Sequence, residues 1–178
     1  FQRDSRCPAF VAGDYLAAYQ LIRAVADSPL PRGRRFCEWG SGFGVVASLA
    51  AMLDFDACGI EIEGLLVEQA RRLADDFEVP VEFAHGSFVP RGAEGRVHAS
   101  GSYSWMTTEA DYAYEELDLD VTDLDVVFAY PWPDEEGVTA ELFERYAGAG
   151  SLLITHHSGT DFRIRRKVGP RKRNGRRY

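Results

Sequence analysis

The segment Glu38-Trp39-Gly40-Ser41-Gly42-Phe43-Gly44 sets an acid at the head of three glycines separated by single residues. Glycines at this spacing allow a tight turn and close approach of a ligand to the backbone. An apolar run, Arg35–Trp39, precedes the turn and a helical pattern follows it, so the turn joins a strand to a helix. Open amides at that helix N-terminus favour a negatively charged or carboxylate group. Seventeen residues beyond Gly44, at the end of a second apolar run, stands Glu61. A carboxylate there can accept both hydroxyl protons of a ribose, and the pair of features predicts a nucleoside site. The dinucleotide fingerprint needs a glycine at position 45, which is Val45, so a nicotinamide enzyme is disfavoured. No Gly-Lys-Ser/Thr follows the turn, which excludes a P-loop.

A second group of candidates lies further along. Tyr130-Pro131-Trp132-Pro133 ends an apolar run, and ligands in open α/β sheets bind outside the carboxyl ends of the strands. The segment reads either as a rigid turn with an aromatic core anchor or as a substrate contact, with Tyr130 and Trp132 lining the reaction site. His156 and His157 follow a fifth strand, and either can serve as a base or a substrate contact; His156 joins Tyr130 and Trp132 as a catalytic candidate. His85 is equally well read as structural. The four histidines are scattered, with no pair at ligand spacing, so no metal site is expected. Tyr15 and Tyr19 could cap a ligand but are more simply core residues.

These residues need a frame. Residues 14–27 repeat apolar groups at helical spacing behind Asp14 as N-cap, and the prolines of SPLPRGR end that helix. Strands are expected at Arg35–Trp39, Phe55–Ile62, Val81–Ala84, Leu124–Ala129, Ser151–His156 and Phe162–Val168, with helices over 45–54, Leu65–Asp76 and Glu135–Ala147. Alternation of this kind indicates βαβ units and a mostly parallel sheet with helices on both faces. From Pro90 to Leu117 the pattern dissolves into Gly, Ser, Thr and tyrosines, which predicts part helix and part mobile loop, a substrate loop or lid.

The chain has 178 residues, 46% of them hydrophobic and 27% charged, enough for one domain with one core. General disorder is excluded, and no run approaches the roughly 18 apolar residues of a membrane span. No secretory leader is visible, and three sparse cysteines, Cys7, Cys37 and Cys58, read as reduced thiols of a cytoplasmic protein. Charge is unevenly placed: from Thr160 to Tyr178 there are nine basic residues and one acid, on a chain whose net charge is −8. That basic tail, ending in 169–178, is either a nucleic-acid or acidic-partner patch or a solvated strand and frayed terminus.

The chain resembles the class I S-adenosylmethionine-dependent methyltransferases from about Arg35 to Ile154. The match rests on Glu38-x-Gly40-x-Gly42-x-Gly44, Gly59-Ile60-Glu61-Ile62, Gly86-Ser87-Phe88 and Asp125-Val126-Val127-Phe128-Ala129-Tyr130-Pro131. The resemblance implies a three-layer, Rossmann-like methyltransferase fold in a single domain over 1–178, with an N-terminal helix in 1–30. It implies S-adenosyl-L-methionine as cofactor. The methionine part would lie on Gly40, Ser41, Gly42 and Gly44 near Glu38, the ribose on Glu61, and the adenine beside Ile62, Ser87 and Phe88. The family's sheet normally has seven strands, the last antiparallel, whereas six are countable here. Tyr130-Pro131-Trp132-Pro133 looks like the Asp/Asn-Pro-Pro-aromatic motif of enzymes acting on planar amines. It departs from that motif at Ala129 or Tyr130 and at Trp132, so base methylation is not implied. The acceptor implied is a small molecule or a protein side chain. The rival is a non-catalytic nucleoside- or RNA-binding module using the basic tail, against which the acidic body argues.

Overall fold

The start of the first strand, β1 (Arg35–Trp39), is tied to what comes later by one side chain. Asp125 accepts hydrogen bonds from Arg35 N (3.0 Å) and Arg32 Nε (2.8 Å), and the Arg32 guanidinium also donates to Thr122 O, Leu124 O and Ala149 O. This clamp gathers the entries to β1, β4 (Val126–Ala129) and β5 (Leu152–Ser158) at the N-terminal edge of the sheet. A computed structural model describes residues 13–93, 106 and 112–169 of the chain. Its other strands are β2 (Asp56–Glu61), β3 (Val81–His85) and β6 (Asp161–Arg166).

The order across the sheet is β3-β2-β1-β4-β5-β6. All neighbours are parallel except β5 and β6, which pair antiparallel as a hairpin. The chain thus starts in the middle, runs outward to β3, and returns beside β1 as β4. The turning point between β1 and β4 is where open α/β sheets leave a crevice at the carboxyl ends of their strands. Among the described residues six strands form the sheet, and the antiparallel one lies directly against β5 at the edge.

Helices α1 (Tyr15–Ala26), α2 (Val45–Ala51) and α3 (Gly64–Asp76) cover one face. Ile22, Val46, Phe36, Phe128 and Ile154 pack together there, with Val67 and Ala70 of α3 against Phe83 beside them. The opposite face carries α4 (Glu136–Tyr146), whose Leu142 and Phe143 pack on Val127 and Leu153. Asp14 caps α1 as expected, accepting from Ala17 N at 3.0 Å.

Two expectations need correction. The fifth strand runs on to Ser158, so His157 lies in it beside His156 rather than after its end, and the two point to opposite faces. The segment 90–117 is not all lid: Tyr112 bridges Ser87, and Ala113 and Tyr114 are buried in the core under α4's side of the sheet. From Tyr112 on the chain forms turns rather than the expected crossing helix, because the tyrosines anchor it directly onto the sheet. Residues 94–105 and 107–111 of the expected lid, Cys7, and 170–178 of the basic tail lie outside the described residues.

Candidate active site

Gly40, at the tip of β1, has φ +71°, and a Cβ built on it would meet nothing within 4 Å. Gly44 has a similar φ of +69°, but a Cβ there would stand 2.2 Å from Phe83 Cζ. The two glycines therefore do different things. Gly40 faces open space, while Gly44 lets α2 and the turn settle on β3. Gly59 continues that packing, with Ser41 Cβ and Phe83 both 2.7 Å from a would-be Cβ.

The amides of the turn are occupied. Gly40 N and Ser41 N donate to Ile60 O, Gly44 N donates to Ser41 O, and Gly42 N donates to Glu61 Oε2 at 2.8 Å. Glu38 Oε2 accepts from Ala47 N at 2.8 Å, capping α2, whose N-cap residue is Gly44. Of the first amides of α2, Ala47 N is thus held by the protein's own carboxylate, as are the turn amides of Gly40, Ser41, Gly42 and Gly44 by carbonyls and by Glu61.

Both carboxylates are buried. Burial pushes the Glu38 carboxyl up to about 8; the Glu61 carboxylate adds to the rise, and the Ala47 N–H works against it. Tyr15, on α1, has its hydroxyl pKa raised by burial and by Glu38. Glu61 accepts three backbone bonds, from Gly42 on Oε2 and from Ile62 and Glu63 on Oε1. A carboxylate offers about four lone-pair sites. One ribose hydroxyl can therefore join the present set, while a second would displace one of these amides.

A cavity of about 470 Å³ opens at these strand ends. Glu38, Gly40, Ser41, Gly42, Glu61, Ile62, Ser87 and Phe88 all line it, whereas Gly44 does not. Phe88 stacks on Trp39 with centroids 5.1 Å apart and planes 7° from parallel. Ser87 Oγ accepts from Val89 N. Ser41 Oγ is buried without a hydrogen-bond partner in the protein. Tyr15 reaches the wall from α1, and Met106 is buried in it. Tyr19 and His85 do not line the cavity; His85 Nε2 instead holds Ile62 O at 2.9 Å.

The far end is built from the tips of β4 and β5. Tyr130, Trp132, His156 and His157 are all there. His156 is clasped by rings, with Tyr130 at 4.5 Å and Phe162 at 4.3 Å between centroids, and its Nε2–H donates to Gly159 O at 2.7 Å. These contacts lock the hairpin turn and leave Nδ1 facing Gly13. His157 has a different setting: Nδ1 donates to Glu136 Oε1 at 2.7 Å, and Nε2 accepts from the Thr155 hydroxyl at 2.9 Å. Arg163 holds the other Glu136 oxygen at 3.3 Å. A carboxylate that orients an imidazole in this way fixes its tautomer.

Sequence reasoning missed Glu135, Glu136, Thr139 and Met106. Glu135 and Thr139 stand four residues apart, a spacing that puts both on one helix face and that was available to read. The partnership of Glu136 with His157 and Arg163 joins distant parts of the chain and leaves no local signal.

No protein-family model matches the chain, and no curated protein matches it in sequence. Among solved structures it is similar to an RNA methyltransferase from Salinibacter ruber in complex with S-adenosyl-L-homocysteine. That match has 19% identity and a TM-score of 0.56, over 85% of this chain and 80% of that one. A methyltransferase from Thiobacillus denitrificans, also with S-adenosyl-L-homocysteine, shows 21% identity and a TM-score of 0.49, over 84% of this chain and 52% of that one. A precorrin-6y C5,15-methyltransferase from Geobacter metallireducens shows 18% identity and a TM-score of 0.49, over 83% and 67%. The chain spans about half the length of the Thiobacillus protein. At these identities the likeness establishes architecture and not reaction: the protein has the Rossmann-like fold of the S-adenosylmethionine-dependent methyltransferases.

Proposed function

We propose that the protein is an S-adenosylmethionine-dependent methyltransferase, one domain acting on a small molecule or a protein side chain. The observation that carries this reading is the cavity at the β1/β4 turning point, walled by the glycine turn on one side and by Glu61 on the other. The residues fit the cofactor. Gly40 leaves a cradle that a Cβ would enter, the buried Ser41 hydroxyl lacks a protein partner, and Glu38 and Glu61 offer buried carboxyl oxygens as acceptors for the ammonium and hydroxyl groups of the ligand. A volume of about 470 Å³ falls within the usual range of roughly 300–1,000 Å³ for ligand sites.

When bound, S-adenosylmethionine supplies an electrophilic methyl group on a sulfonium. Glu38, Gly40, Ser41 and Gly42 would hold its amino-acid part, Glu61 its ribose, and Ile62, Ser87 and Phe88 its adenine. Tyr130 and Trp132 shape the far wall and exclude water from the line of approach. Much of the rate then comes from alignment of the acceptor. For an acceptor that arrives protonated, His156 is better arranged as a base than His157: its Nε2–H is held by Gly159 O, which leaves the Nδ1 lone pair to accept a proton, whereas both nitrogens of His157 are engaged, by Glu136 and by the Thr155 hydroxyl.

Calorimetric titration with S-adenosylmethionine and S-adenosylhomocysteine tests the reading. Both should bind, NADH should not, and Glu61→Ala should lose about 1.5–3 kcal/mol of affinity. Absence of binding by the wild-type protein would overturn it.

A further inference from the structure

Gly13 precedes α1 and lines the cavity together with Ala18, Phe128, Tyr130 and His156. A Cβ built on it would lie 3.2 Å from His156 Nδ1, 3.4 Å from His156 Cε1 and 3.8 Å from Tyr130 Cδ1. A side chain at position 13 would thus fill the space in front of one ring nitrogen, and the glycine leaves that space open. His156 cannot retreat from such a group. It is 2% exposed, Tyr130 and Phe162 pack against its ring, and its Nε2–H is held by Gly159 O. A carbonyl only accepts, so Nε2 carries the hydrogen of the neutral ring and Nδ1 carries a lone pair. Among the described residues no hydrogen bond reaches that lone pair. Buried polar groups are normally paired, so an unpaired acceptor on a cavity wall marks a place where a donor from outside the chain belongs.

We infer that the space between Gly13 and His156 is a subsite for the hydroxyl of a phenol, which donates to His156 Nδ1 while its ring lies against Tyr130 and Phe128. Ala18, Phe128 and the Tyr130 ring make this part of the wall apolar and aromatic. A sugar or polyol would leave its other hydroxyls unpaired there. A carboxylate or phosphate has only acceptors to set against the lone pair, and the described wall holds no lysine or arginine. An ammonium brings three donors and a charge, and Asp14, the carboxylate next to Gly13 in the chain, already accepts from Ala17 N as the cap of α1. A phenol brings one donor and a flat ring, which is what the site takes. Calling this phenol the methyl acceptor rests on the function proposed above; the subsite itself does not.

The test is a titration of the protein, free and saturated with S-adenosylhomocysteine, with p-cresol, p-methylanisole and p-methylbenzylamine. Binding is followed by calorimetry and by the nitrogen-15 resonances of the histidine rings. p-Cresol should bind about tenfold more tightly than p-methylanisole, which has the same ring and no donor, and more tightly than the amine. Of cresol and methylanisole, only cresol should move the Nδ1 resonance of His156, a change that a purely structural role would not produce. His156→Phe keeps a ring against Tyr130 and Phe162 but has no acceptor, so cresol and methylanisole should bind it alike. Gly13→Ala fills the space and should weaken both by about tenfold. Both variants should bind S-adenosylhomocysteine as the wild type does. A tripeptide with a central tyrosine, used as a competitor, distinguishes a protein side chain from a free phenol; cresol binding with or without this competition supports the subsite. Equal affinity of the wild type for cresol and methylanisole, tighter binding of the amine, or an Nδ1 resonance unmoved by cresol overturns it. Failure of S-adenosylhomocysteine to bind overturns the earlier proposal instead, and the titrations on the free protein then decide the subsite alone.

Discussion

Glu38 holds α2 through Ala47 N while sitting in a buried place that raises its pKa from 4.5 to about 8. An unfolded carboxyl gives up its proton near 4.5, whereas the folded one keeps it to about 8. Between those values the folded state binds more protons, so this group's contribution to stability is complete below about pH 4.5 and is lost as pH rises through about 8. Glu38→Gln keeps an acceptor for the Ala47 amide and cannot ionise. Urea denaturation of this variant should therefore be flatter with pH between 5 and 8 than that of the wild type. The glycines give a second contrast at this scale. Gly44→Ala forces a left-handed alanine and a clash with Phe83, about 1–2 kcal/mol for the backbone and a further 1–3 for overpacking. Gly40→Ala carries only the backbone cost but puts a methyl into the cavity. Thermal melts should rank Gly44→Ala as the less stable, and titration should rank Gly40→Ala as the weaker binder of S-adenosylhomocysteine.

Among the elements, the connections matter as much as the strands. Arg32 donates to Asp125 and three backbone carbonyls, stitching the approach to β1 onto the entries of β4 and β5. Arg32→Ala leaves those acceptors without their charged donor and should cost about 1.5–3 kcal/mol in urea denaturation. The cavity lies at the opposite ends of the strands, so the same variant should bind S-adenosylhomocysteine as the wild type does. The β5–β6 hairpin is joined to α4 by His157, Glu136 and Arg163, and β6 is further tied down by Arg166 to Leu30 O and Lys167 to Glu144. Of these basic side chains, read in sequence as a possible partner patch, Arg163, Arg166 and Lys167 have partners within the chain, while both arginines remain exposed. Arg165 is exposed on the same strand.

For the molecule as a whole, a ligand that binds only the folded state stabilises it by mass action. S-adenosylhomocysteine at one hundred times its dissociation constant should add about 2.7 kcal/mol, a Tm rise of roughly 5–10 °C for a chain of this size. No shift at any concentration would remove the cofactor from the account. Among the described residues no helix is long and apolar enough to cross a membrane, and Cys37 and Cys58 are free and buried side by side on β1 and β2.

The order of strands and helices, the glycine turn and the acid at the end of β2 were legible in the residues, because period and turn chemistry are local properties of a chain. So were Tyr130 and Trp132, from their place after an apolar run. Tertiary structure alone decided that Gly40 faces the cavity and Gly44 faces Phe83, since two glycines of like conformation differ only in what packs against them. It alone showed that Glu61 already accepts three amides, that His156 is clasped while His157 is oriented by Glu136, and that Thr139 is buried without a partner. Those facts depend on residues far apart in sequence meeting across the sheet, and local periodicity carries no record of such meetings.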